Sequence, residues 1–291
     1  MNKINVKELS AKIRENIKEN LKEFADKDKP TLAVIQVGHD SASDIYVRNK
    51  RKACEEVGIK FNLLDFDVNI TTSELLCKID ELNKNDSING ILVQLPLPKH
   101  IDENILIESI NPLKDVDGFS PNQSAKIYLN NKHNRLEPCT AKGIVKIIEN
   151  ITDIEGKNIT VVGRSNIVGK PVANLLTEKN ATVTLCHSKT QDLEHYTQNA
   201  DIIILAVGIP KYFGTRYFYN GFLNNKIIID AGINRDKDGK LCGDLNVEMV
   251  EQLLYNKNIS YTPVPGGVGI MTVTELLENV CEAFYLQKGF Y

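Results

Sequence analysis

Short apolar runs alternate with amphipathic stretches along most of the chain. Residues 31–38 form a β-rich run ending in Gly38, and residues 43–57 then space their apolar positions as a helix does, which predicts a strand and a helix. The same pattern predicts strands over residues 62–68 and 90–95 and a helix over residues 73–83. Strands that are apolar on both faces and separated by helices form parallel sheets covered on both sides. A doubly wound α/β domain is therefore predicted for this half.

The alternation of predicted strands and helices is interrupted once and then continues. Residues 111–135 are rich in Asn, Pro, Asp and Lys and have weak periodicity, which indicates a change of domain, and a helix is predicted over residues 140–150. Beyond it, strands are predicted over residues 159–162, 182–185, 202–207 and 226–230, and helices are predicted over residues 168–179 and 193–199. This second doubly wound domain is predicted to be a Rossmann-type dinucleotide-binding domain.

The last predicted helix covers residues 272–287 and is expected to pack back on the first domain. A chain of 291 residues has the usual length of two domains. The predicted division is residues 1–138 plus 272–291 for a catalytic domain and residues 139–271 for the dinucleotide-binding domain, with a cleft between the domains.

The net charge and the composition limit the classes of partner that this protein is expected to bind. The formal net charge is −3, from 35 Lys and Arg against 38 Asp and Glu, so no positive field is expected to attract nucleic acid or an anionic membrane. No apolar run reaches the ~18–20 residues that span a bilayer, and the first residues lack a signal peptide's apolar stretch. We therefore expect a cytoplasmic protein with no nucleic-acid or membrane partner.

The cysteines are spaced irregularly. The six stand at positions 54, 77, 139, 186, 242 and 281, without a Cys-x-x-Cys pair or a His spacing of the zinc type. This spacing predicts neither a disulfide framework nor a metal site. We expect reduced thiols that mostly fill space in the core.

A predicted strand-to-helix junction at residues 161–171 carries Gly163 and Gly169. At such a junction a Rossmann fold binds a diphosphate with backbone N–H groups and the positive end of the helix dipole. The spacing differs from Gly-x-Gly-x-x-Gly, so a plain turn between strand and helix is the alternative.

The end of the next strand bears on the choice of dinucleotide. NAD-binding Rossmann domains usually place an Asp or Glu there to accept the ribose 2′-hydroxyl. This chain has His187, Ser188 and Lys189 instead, and Arg164 can approach from the preceding loop. Hydroxyl and cationic donors suit a 2′-phosphate, so NADP is predicted in preference to NAD. For Lys189 taken alone, a solvated surface position is the alternative.

Three later segments suit a nicotinamide site. Residues 206–208 end one predicted strand and residues 230–234 end another, and each segment brings small residues to the carboxyl edge of the sheet, where ligands bind. Residues 263–269 read Pro-Val-Pro-Gly-Gly-Val-Gly, a stiff loop that permits close approach. A domain linker is the alternative for that loop.

Tyr46 and Lys50 are four residues apart on a predicted helix and therefore share one face. An aromatic ring beside an amine can stack a planar substrate and hold the amine over its reacting carbon. Cationic residues also occupy positions 48, 51 and 52, so a solvated basic face is the alternative.

Two further segments favour a catalytic interpretation. Gln94 stands at the carboxyl end of a predicted buried strand, and Asp115 and Asp117 precede Gly118 in a turn near the domain junction. A carboxylate at that place can accept paired hydrogen bonds from an amino-pyrimidine-like ring. Acids at a glycine turn are often only turn formers, which is the alternative.

Six motifs follow one another along nearly the whole chain. They are Ser43-x-x-Tyr46-Val47-x-x-Lys50-x-Lys52-Ala53; Val93-Gln94-Leu95-Pro96-Leu97-Pro98; Lys114-Asp115-Val116-Asp117-Gly118; Pro138-Cys139-Thr140; Gly163-Arg164-Ser165-x-Ile167-Val168-Gly169-x-Pro171; and Thr262-Pro263-Val264-Pro265-Gly266-Gly267-Val268-Gly269. In this order they resemble the bifunctional methylenetetrahydrofolate dehydrogenase/methenyltetrahydrofolate cyclohydrolase family.

The resemblance implies two activities on tetrahydrofolate derivatives. The first is NADP-dependent oxidation of 5,10-methylenetetrahydrofolate to the methenyl cation, and the second is hydrolysis of that cation to 10-formyltetrahydrofolate. It also implies a homodimer that pairs through the NADP-binding domain.

The resemblance further assigns roles to residues. It makes Lys50 the catalytic lysine, Gln94 its polar partner, Tyr46 the residue that aligns the substrate by stacking and Asp117 the pterin anchor. The cofactor-binding positions that we predict are Gly163, Arg164, Ser165, Ile167, Gly169, His187, Ser188, Lys189, Val207, Gly208, Ile233 and Thr272. Arg164 and Ser188 are expected to meet the 2′-phosphate. The predicted substrate positions also include Pro265, Gly266 and Gly267.

The chain departs from the family pattern at Ala141, at Gln123-Ser124-Ala125 and at Asn246, which leaves the relative rates of the two activities open. One alternative is a dehydrogenase with a lost or feeble cyclohydrolase. Another is a nucleotide-sensing module that uses the basic run at residues 48–52 to contact an acidic partner. That module would bind NADP without turnover.

Overall fold

The computed structural model describes residues 2–39, 41–218, 226–253 and 259–290. The chain divides into two compact units. The first unit comprises residues 12–139 and 273–291, and the second unit comprises residues 1–11 and 140–272.

Strands and helices alternate along the described residues. The strands are β1 (Asn2–Lys3), β2 (Thr31–Val37), β3 (Lys60–Phe66), β4 (Gly90–Val93), β5 (Asn158–Val162), β6 (Thr182–Cys186), β7 (Ile202–Leu205), β8 (Lys226–Asp230), β9 (Asn234–Arg235), β10 (Leu241–Cys242) and β11 (Ile259–Tyr261). The helices are α1 (Val6–Leu21), α2 (Ser41–Val57), α3 (Thr72–Lys84), α4 (Glu103–Ser109), α5 (Pro121–Tyr128), α6 (Cys139–Glu149), α7 (Gly169–Glu178), α8 (Leu193–Asn199), α9 (Val247–Leu253) and α10 (Val268–Lys288).

The first unit is built on a parallel sheet with the strand order β3-β2-β4. Because side chains alternate along a strand, β2 supplies Leu32 and Val34 to one core and Ala33 and Ile35 to the other. Helices α2 and α10 contribute to the first of these cores, and α3 and α4 contribute to the second. The sheet is covered on both faces, which explains why residues 32–35 of β2 are all apolar.

A short segment extends this sheet beyond β4. Asp115 pairs in parallel with Ile91, whose N–H donates to the Lys114 carbonyl at 2.8 Å. Asp117 follows two residues later in a turn, and its carboxyl group is close enough to Lys50 to be affected by the charge of that side chain. The carboxyl edge of the sheet therefore collects the polar residues that the sequence analysis singles out.

The second unit contains a six-stranded parallel sheet in the order β1-β11-β8-β7-β5-β6. Strand β5 is the point where the order reverses, because β6 lies on one side of it and β7 on the other. In open α/β sheets, ligands bind outside the carboxyl ends of the strands at such a point. The loops after β5, β6 and β7 are therefore the positions to examine for a dinucleotide.

The predicted α/β class with parallel sheets is confirmed, with shifts at some elements. The last helix begins at Val268, four residues before the predicted start, and β3 begins and ends two residues before the predicted strand. Helix α5 lies within residues 111–135, for which no helix is predicted. Its start carries a clear signal, because the Ser120 hydroxyl accepts from the Gln123 N–H and Pro121 occupies the first turn. Helices α4 and α9 and strands β1, β9, β10 and β11 are also not predicted.

The first eleven residues belong to the second unit, whereas the predicted division groups them with residues 12–138. Strand β1 pairs with β11, and the Ile4 N–H donates to the Tyr261 carbonyl at 2.8 Å. A two-residue strand carries too little pattern to predict such a long-range pairing. In the described part of the chain, no helix combines the length and the apolar composition that crossing a bilayer requires.

Candidate active site

Lys50 and Gln94 are in contact at the carboxyl edge of the first unit's sheet. The Lys50 Nζ donates a hydrogen bond to Gln94 Oε1 at 3.0 Å. Gln94 is held in turn by the backbone, because its N–H donates to the Ile35 carbonyl at 2.9 Å and its Nε2 donates to the Leu95 carbonyl at 2.7 Å. With Nε2 engaged, the amide presents its acceptor oxygen to Lys50.

The position of Lys50 on α2 explains why its side chain is half-buried. Val47 and Cys54 are buried and lie three residues before it and four residues after it, so Lys50 shares the helix face that packs on the sheet. Tyr46 lies one turn earlier and is 37% exposed. The other cationic residues within 48–52 are exposed. The basic run is therefore solvated surface except at Lys50.

The two acids of the Asp-Val-Asp-Gly turn have different surroundings. Asp115 is buried, and its carboxylate accepts the N–H groups of Gly118, Phe119 and Ser120 at 3.0, 3.4 and 2.8 Å. Gly118 has a φ of 70°, and a Cβ there would lie 2.6 Å from the Glu137 carbonyl carbon. Asp115 and Gly118 therefore form the turn.

Asp117 lies close to Cys139, the last residue of the first of the two stretches that form this unit. The Cys139 thiol donates to the Val116 carbonyl at 3.2 Å and lies 3.9 Å from Asp117 Oδ1. Burial raises the pKa of Asp117 to about 6, against the opposing effect of the Lys50 charge. A carboxyl group with few protein donors is available to accept hydrogen bonds from a ligand.

In the second unit, Gly163 and Gly169 bring backbone segments together. Gly163 has a φ of 127°, and a Cβ there would overlap the Ala206 carbonyl oxygen. A Cβ on Gly169 would in turn overlap the Gly163 carbonyl oxygen. Such a glycine-closed loop at the N-terminus of α7 fits the diphosphate of a dinucleotide.

The other predicted residues of this loop lie on its outer side. Arg164, Ser165 and Ile167 are exposed. The Ser165 hydroxyl accepts the N–H groups of Val168 and Gly169 at 3.2 and 3.4 Å. Ser165 therefore shapes the entry to α7.

The loop after β6 lies next to the glycine loop. Val162 pairs with Cys186, and the Gly163 N–H donates to the Cys186 carbonyl at 2.9 Å. Arg164 and the residues after Cys186 consequently stand on adjacent loops. In the second of these loops His187 is fixed locally, since its N–H donates to Thr190 Oγ1 at 2.8 Å and its Nδ1 accepts the Lys189 N–H at 3.1 Å. Ser188 and Lys189 are exposed.

The remaining predicted ligand positions also lie in the second unit. Val207 is half-buried, and Gly208 and Ile233 are exposed. The Thr272 hydroxyl donates to the Val268 carbonyl at 3.1 Å. Pro265 is exposed, Gly266 is half-buried and Gly267 is buried. Among the described residues, no three His, Cys, Asp or Glu side chains are grouped so that they could hold a metal ion.

Comparison with known proteins identifies the family. A model described as the catalytic domain of tetrahydrofolate dehydrogenase/cyclohydrolase matches residues 4–117, and a model described as its NAD(P)-binding domain matches residues 138–288. The chain belongs to the tetrahydrofolate dehydrogenase/cyclohydrolase family.

Relatives within this family match over nearly their whole length. The bifunctional protein FolD of Agathobacter rectalis is 48% identical over 284 residues, which are 97% of this chain and 98% of that protein. The crystal structure of the bifunctional FolD enzyme of Campylobacter jejuni is 43% identical, with a TM-score of 0.91 and full coverage of both chains. The Trypanosoma brucei FolD structure, described as complexed with NADP cofactor and inhibitor, is 31% identical with a TM-score of 0.87, covering 98% of this chain and 97% of that one.

Membership of the tetrahydrofolate dehydrogenase/cyclohydrolase family confirms several predictions. The α/β fold with a Rossmann-type second domain, the bifunctional dehydrogenase/cyclohydrolase activity and the use of NADP all agree with it. The assignment of roles to individual residues stays a prediction.

Two buried polar residues near the predicted sites are absent from the sequence-based assignments. The Asn279 amide donates to the Val116 and Glu137 carbonyls at 2.9 and 2.8 Å, and so it holds the segment before Asp117. Helix α10 carries several other polar residues, so nothing in the sequence marks out Asn279. The second residue is Asp244, which follows Gly243 between β10 and α9 and is 0% exposed. The sequence offers no signal for Asp244, because a Gly-Asp pair is not specific to any one function.

Proposed function

We propose that the first unit oxidises 5,10-methylenetetrahydrofolate and then hydrolyses the methenyl product to 10-formyltetrahydrofolate at one site formed by Lys50, Gln94, Tyr46 and Asp117. The observation that carries this proposal is the hydrogen bond from the half-buried Lys50 to Gln94 at 3.0 Å. Such a contact places an amine with a fixed neutral partner at the carboxyl edge of the sheet.

The dehydrogenase step requires mainly positioning. When bound, NADP supplies the acceptor for the hydride that leaves the methylene carbon. The lone pair of a folate nitrogen drives this departure and leaves a delocalised cation, so the protein needs to hold the reacting groups in contact. Tyr46 is exposed enough to stack on the substrate, and Asp117 anchors its pterin ring.

The cyclohydrolase step requires proton transfer. Water adds to the methenyl carbon and gives up one proton, which the neutral Lys50 amine accepts. The resulting ammonium then protonates a folate nitrogen as its bond to that carbon breaks, and the added hydroxyl loses its proton as the formyl group forms. One proton is released overall, and Lys50 returns to its neutral form.

Gln94 orients the Lys50 amine without adding charge. A carboxylate in its place would favour the ammonium form and hinder the acceptance of a proton. The hydrogen bond from Gln94 Nε2 to the Leu95 carbonyl keeps the amide from rotating. This arrangement suits a lysine that must be neutral before water attacks.

On the second unit, the glycine loop and the loop after β6 fit NADP. We assign the diphosphate to residues 163–169 and the 2′-phosphate to Arg164 and Ser188, with Lys189 nearby. The absence of an Asp or Glu from residues 187–190 supports this assignment. Val207, Gly208, Ile233 and Thr272 are assigned to the nicotinamide end.

A two-step absorbance assay tests the proposed function. With wild-type protein and NADP, methenyltetrahydrofolate should form from the methylene compound, and added methenyltetrahydrofolate should disappear faster than in buffer. If the methenyl compound accumulates and decays only at the buffer rate, the chain is a dehydrogenase without cyclohydrolase. NADP binding without any turnover would favour a sensing module instead.

The raised pKa of Asp117 predicts a pH dependence of folate binding. Only the ionised carboxylate accepts two hydrogen bonds from the pterin, and with a pKa of about 6 this form is lost as the pH falls. The KM for methylenetetrahydrofolate should therefore rise between pH 7 and pH 5, by roughly tenfold per unit below the pKa.

Dehydrogenase kinetics with wild type and Asp117→Asn between pH 5 and pH 8 check this expectation. The variant should have a high KM at every pH, because its amide does not titrate. The KM for NADP serves as the control, since Asp117 belongs to the other unit. A wild-type folate KM that stays constant from pH 7 to pH 5 would exclude the proposed anchor.

We further place the enzyme in the cytoplasm as a homodimer that pairs through the second unit, with no nucleic-acid partner. The six free cysteines support a reducing compartment. The exposed Leu185 on the edge strand β6 supports pairing at that edge. Light scattering would test the dimer, which should have twice the chain mass of 32.6 kDa.

A further inference from the structure

The loop after β7 lies at the point where the second unit's sheet reverses its strand order. Residues 206–209 follow β7, and the Ala206 carbonyl packs directly against Gly163 of the glycine loop. The Ala206 N–H donates to the Val162 carbonyl at 2.8 Å, which continues the ladder between β5 and β7. The position of residues 207–209 therefore affects the same ligand site as the glycine loop.

Three consecutive N–H groups of this loop point at one buried carboxylate. Asp244 Oδ2 accepts from Val207 and Gly208 at 2.7 and 3.1 Å, and Oδ1 accepts from Ile209 at 3.0 Å. The Asn234 Nδ2 also donates to Oδ1, at 2.9 Å. Four donors thus satisfy a carboxylate that is 0% exposed, and each is a charge-assisted hydrogen bond.

A second buried carboxylate holds the backbone of Asp244. Asp230 Oδ1 accepts the N–H groups of Gly232 and Asp244 at 2.9 and 3.1 Å, and its Oδ2 accepts that of Leu245 at 2.9 Å. Asp230 is the last residue of β8, so it is itself fixed by the sheet. The loop at residues 207–209 is therefore tied to the sheet through two carboxylates in series.

Glycines make room for both carboxylates. A Cβ on Gly232 would overlap Asp244 Oδ1, and a Cβ on Gly243 would overlap Asp230 Oδ2. The small residues in the Asp-Ala-Gly and Gly-Asp motifs are thus required by the two acids and not only by a bound ligand. The close approach of the two carboxylates explains why residues 232 and 243 are glycines, without any contact between these residues and a cofactor.

We infer that Asp244 is a positioning residue for the NADP site, because its carboxylate sets the path of residues 207–209 at the nicotinamide end. This inference rests on the proposed assignment of Val207 and Gly208 to the cofactor. Asp244 itself touches neither substrate nor cofactor in this account. Its effect reaches the site through the three backbone N–H groups that it holds.

Asp244→Asn is the test, because either orientation of the amide places an NH₂ group against two hydrogen-bond donors. We expect the KM for NADP in the dehydrogenase reaction to rise at least tenfold. The cyclohydrolase kcat, which needs no dinucleotide, should stay within twofold of wild type. A general loss of structure would lower both activities together, so the contrast between them separates positioning from folding.

Asp238→Asn is the matched control, since it makes the same change at an exposed acid in the turn between β9 and β10. Both activities of this control should stay within twofold of wild type. If Asp244→Asn does not fold, Asn234→Ala replaces it as the test variant, because it removes one of the four hydrogen-bond donors to the Asp244 carboxylate. We expect Asn234→Ala to raise the KM for NADP two- to fivefold.

Two outcomes would overturn the inference. One is an unchanged KM for NADP in Asp244→Asn, or in Asn234→Ala where the first variant does not fold. The other is a parallel loss of both activities in a folded Asp244→Asn variant. Wild-type protein that forms no methenyl product with NADP would instead refute the proposed function itself.

Discussion

Replacing Lys50 by methionine is expected to lower the cyclohydrolase kcat by a factor of roughly 10² to 10⁴, the usual contribution of a general acid–base group. Methionine has a similar length and shape but cannot accept or donate the proton. The hydrogen bond to Gln94 at 3.0 Å is lost as well. The affinity for NADP should stay within twofold, since Lys50 is not among the predicted cofactor-binding residues.

The measurement is the rate at which methenyltetrahydrofolate disappears, corrected for its decay in buffer. Lys52→Met is the matched control, because Lys52 is exposed on the same helix and outside the contact with Gln94. The control should retain nearly full activity. If Lys50→Met hydrolyses the methenyl compound as fast as wild type, another group carries the proton and the proposed mechanism is wrong.

Replacing Arg164 by alanine is expected to raise the KM for NADP by roughly 10- to 100-fold, because hydrogen bonds between charged groups contribute about 1.5–3 kcal/mol. The KM for NAD should change less than threefold, since NAD has no 2′-phosphate for the guanidinium to bind. Arg164 is exposed and is not part of the core, so the free energy of unfolding should change little.

Dehydrogenase kinetics with each dinucleotide check this prediction. Lys179→Ala is the control, because it removes one positive charge from the C-terminal end of α7, away from the glycine loop. Its preference for NADP should match that of wild type. Equal weakening of NADP and NAD by Arg164→Ala would show that the 2′-phosphate is recognised elsewhere.

The sequence predicts the fold class because burial on both sheet faces leaves a direct pattern. Runs of consecutive apolar residues such as those within β2 and β8, separated by amphipathic helices, are typical of parallel sheets covered on both faces. Short elements carry less pattern, and β1, β11, α4 and α9 are accordingly not predicted. Their formation depends on partners far along the chain, as the pairing of β1 with β11 demonstrates.

For the candidate site, too, the sequence predicts some features and the structure decides others. The spacing of Tyr46 and Lys50 predicts a shared helix face, because i and i+4 positions lie together on any helix. The residue pattern of the turn does not distinguish Asp115 from Asp117, since both are acids at a glycine turn, and only the family resemblance assigns the anchoring role to Asp117. The structure separates them by their partners: Asp115 accepts three backbone N–H groups of the turn, whereas Asp117 has the Cys139 thiol near it at 3.9 Å.

By itself, then, the sequence determines the strand and helix alternation, the paired α/β domains and the residue types that suit a folate and NADP. These follow from periodicity and from motifs that are local along the chain. Only the tertiary structure decides that the Gln94 amide turns its oxygen to Lys50 and that Asp244 holds residues 207–209. The physical reason is that a polar group removed from water must find its hydrogen-bond partners in space, and in these two cases the partners lie 44 and 37 positions away along the chain.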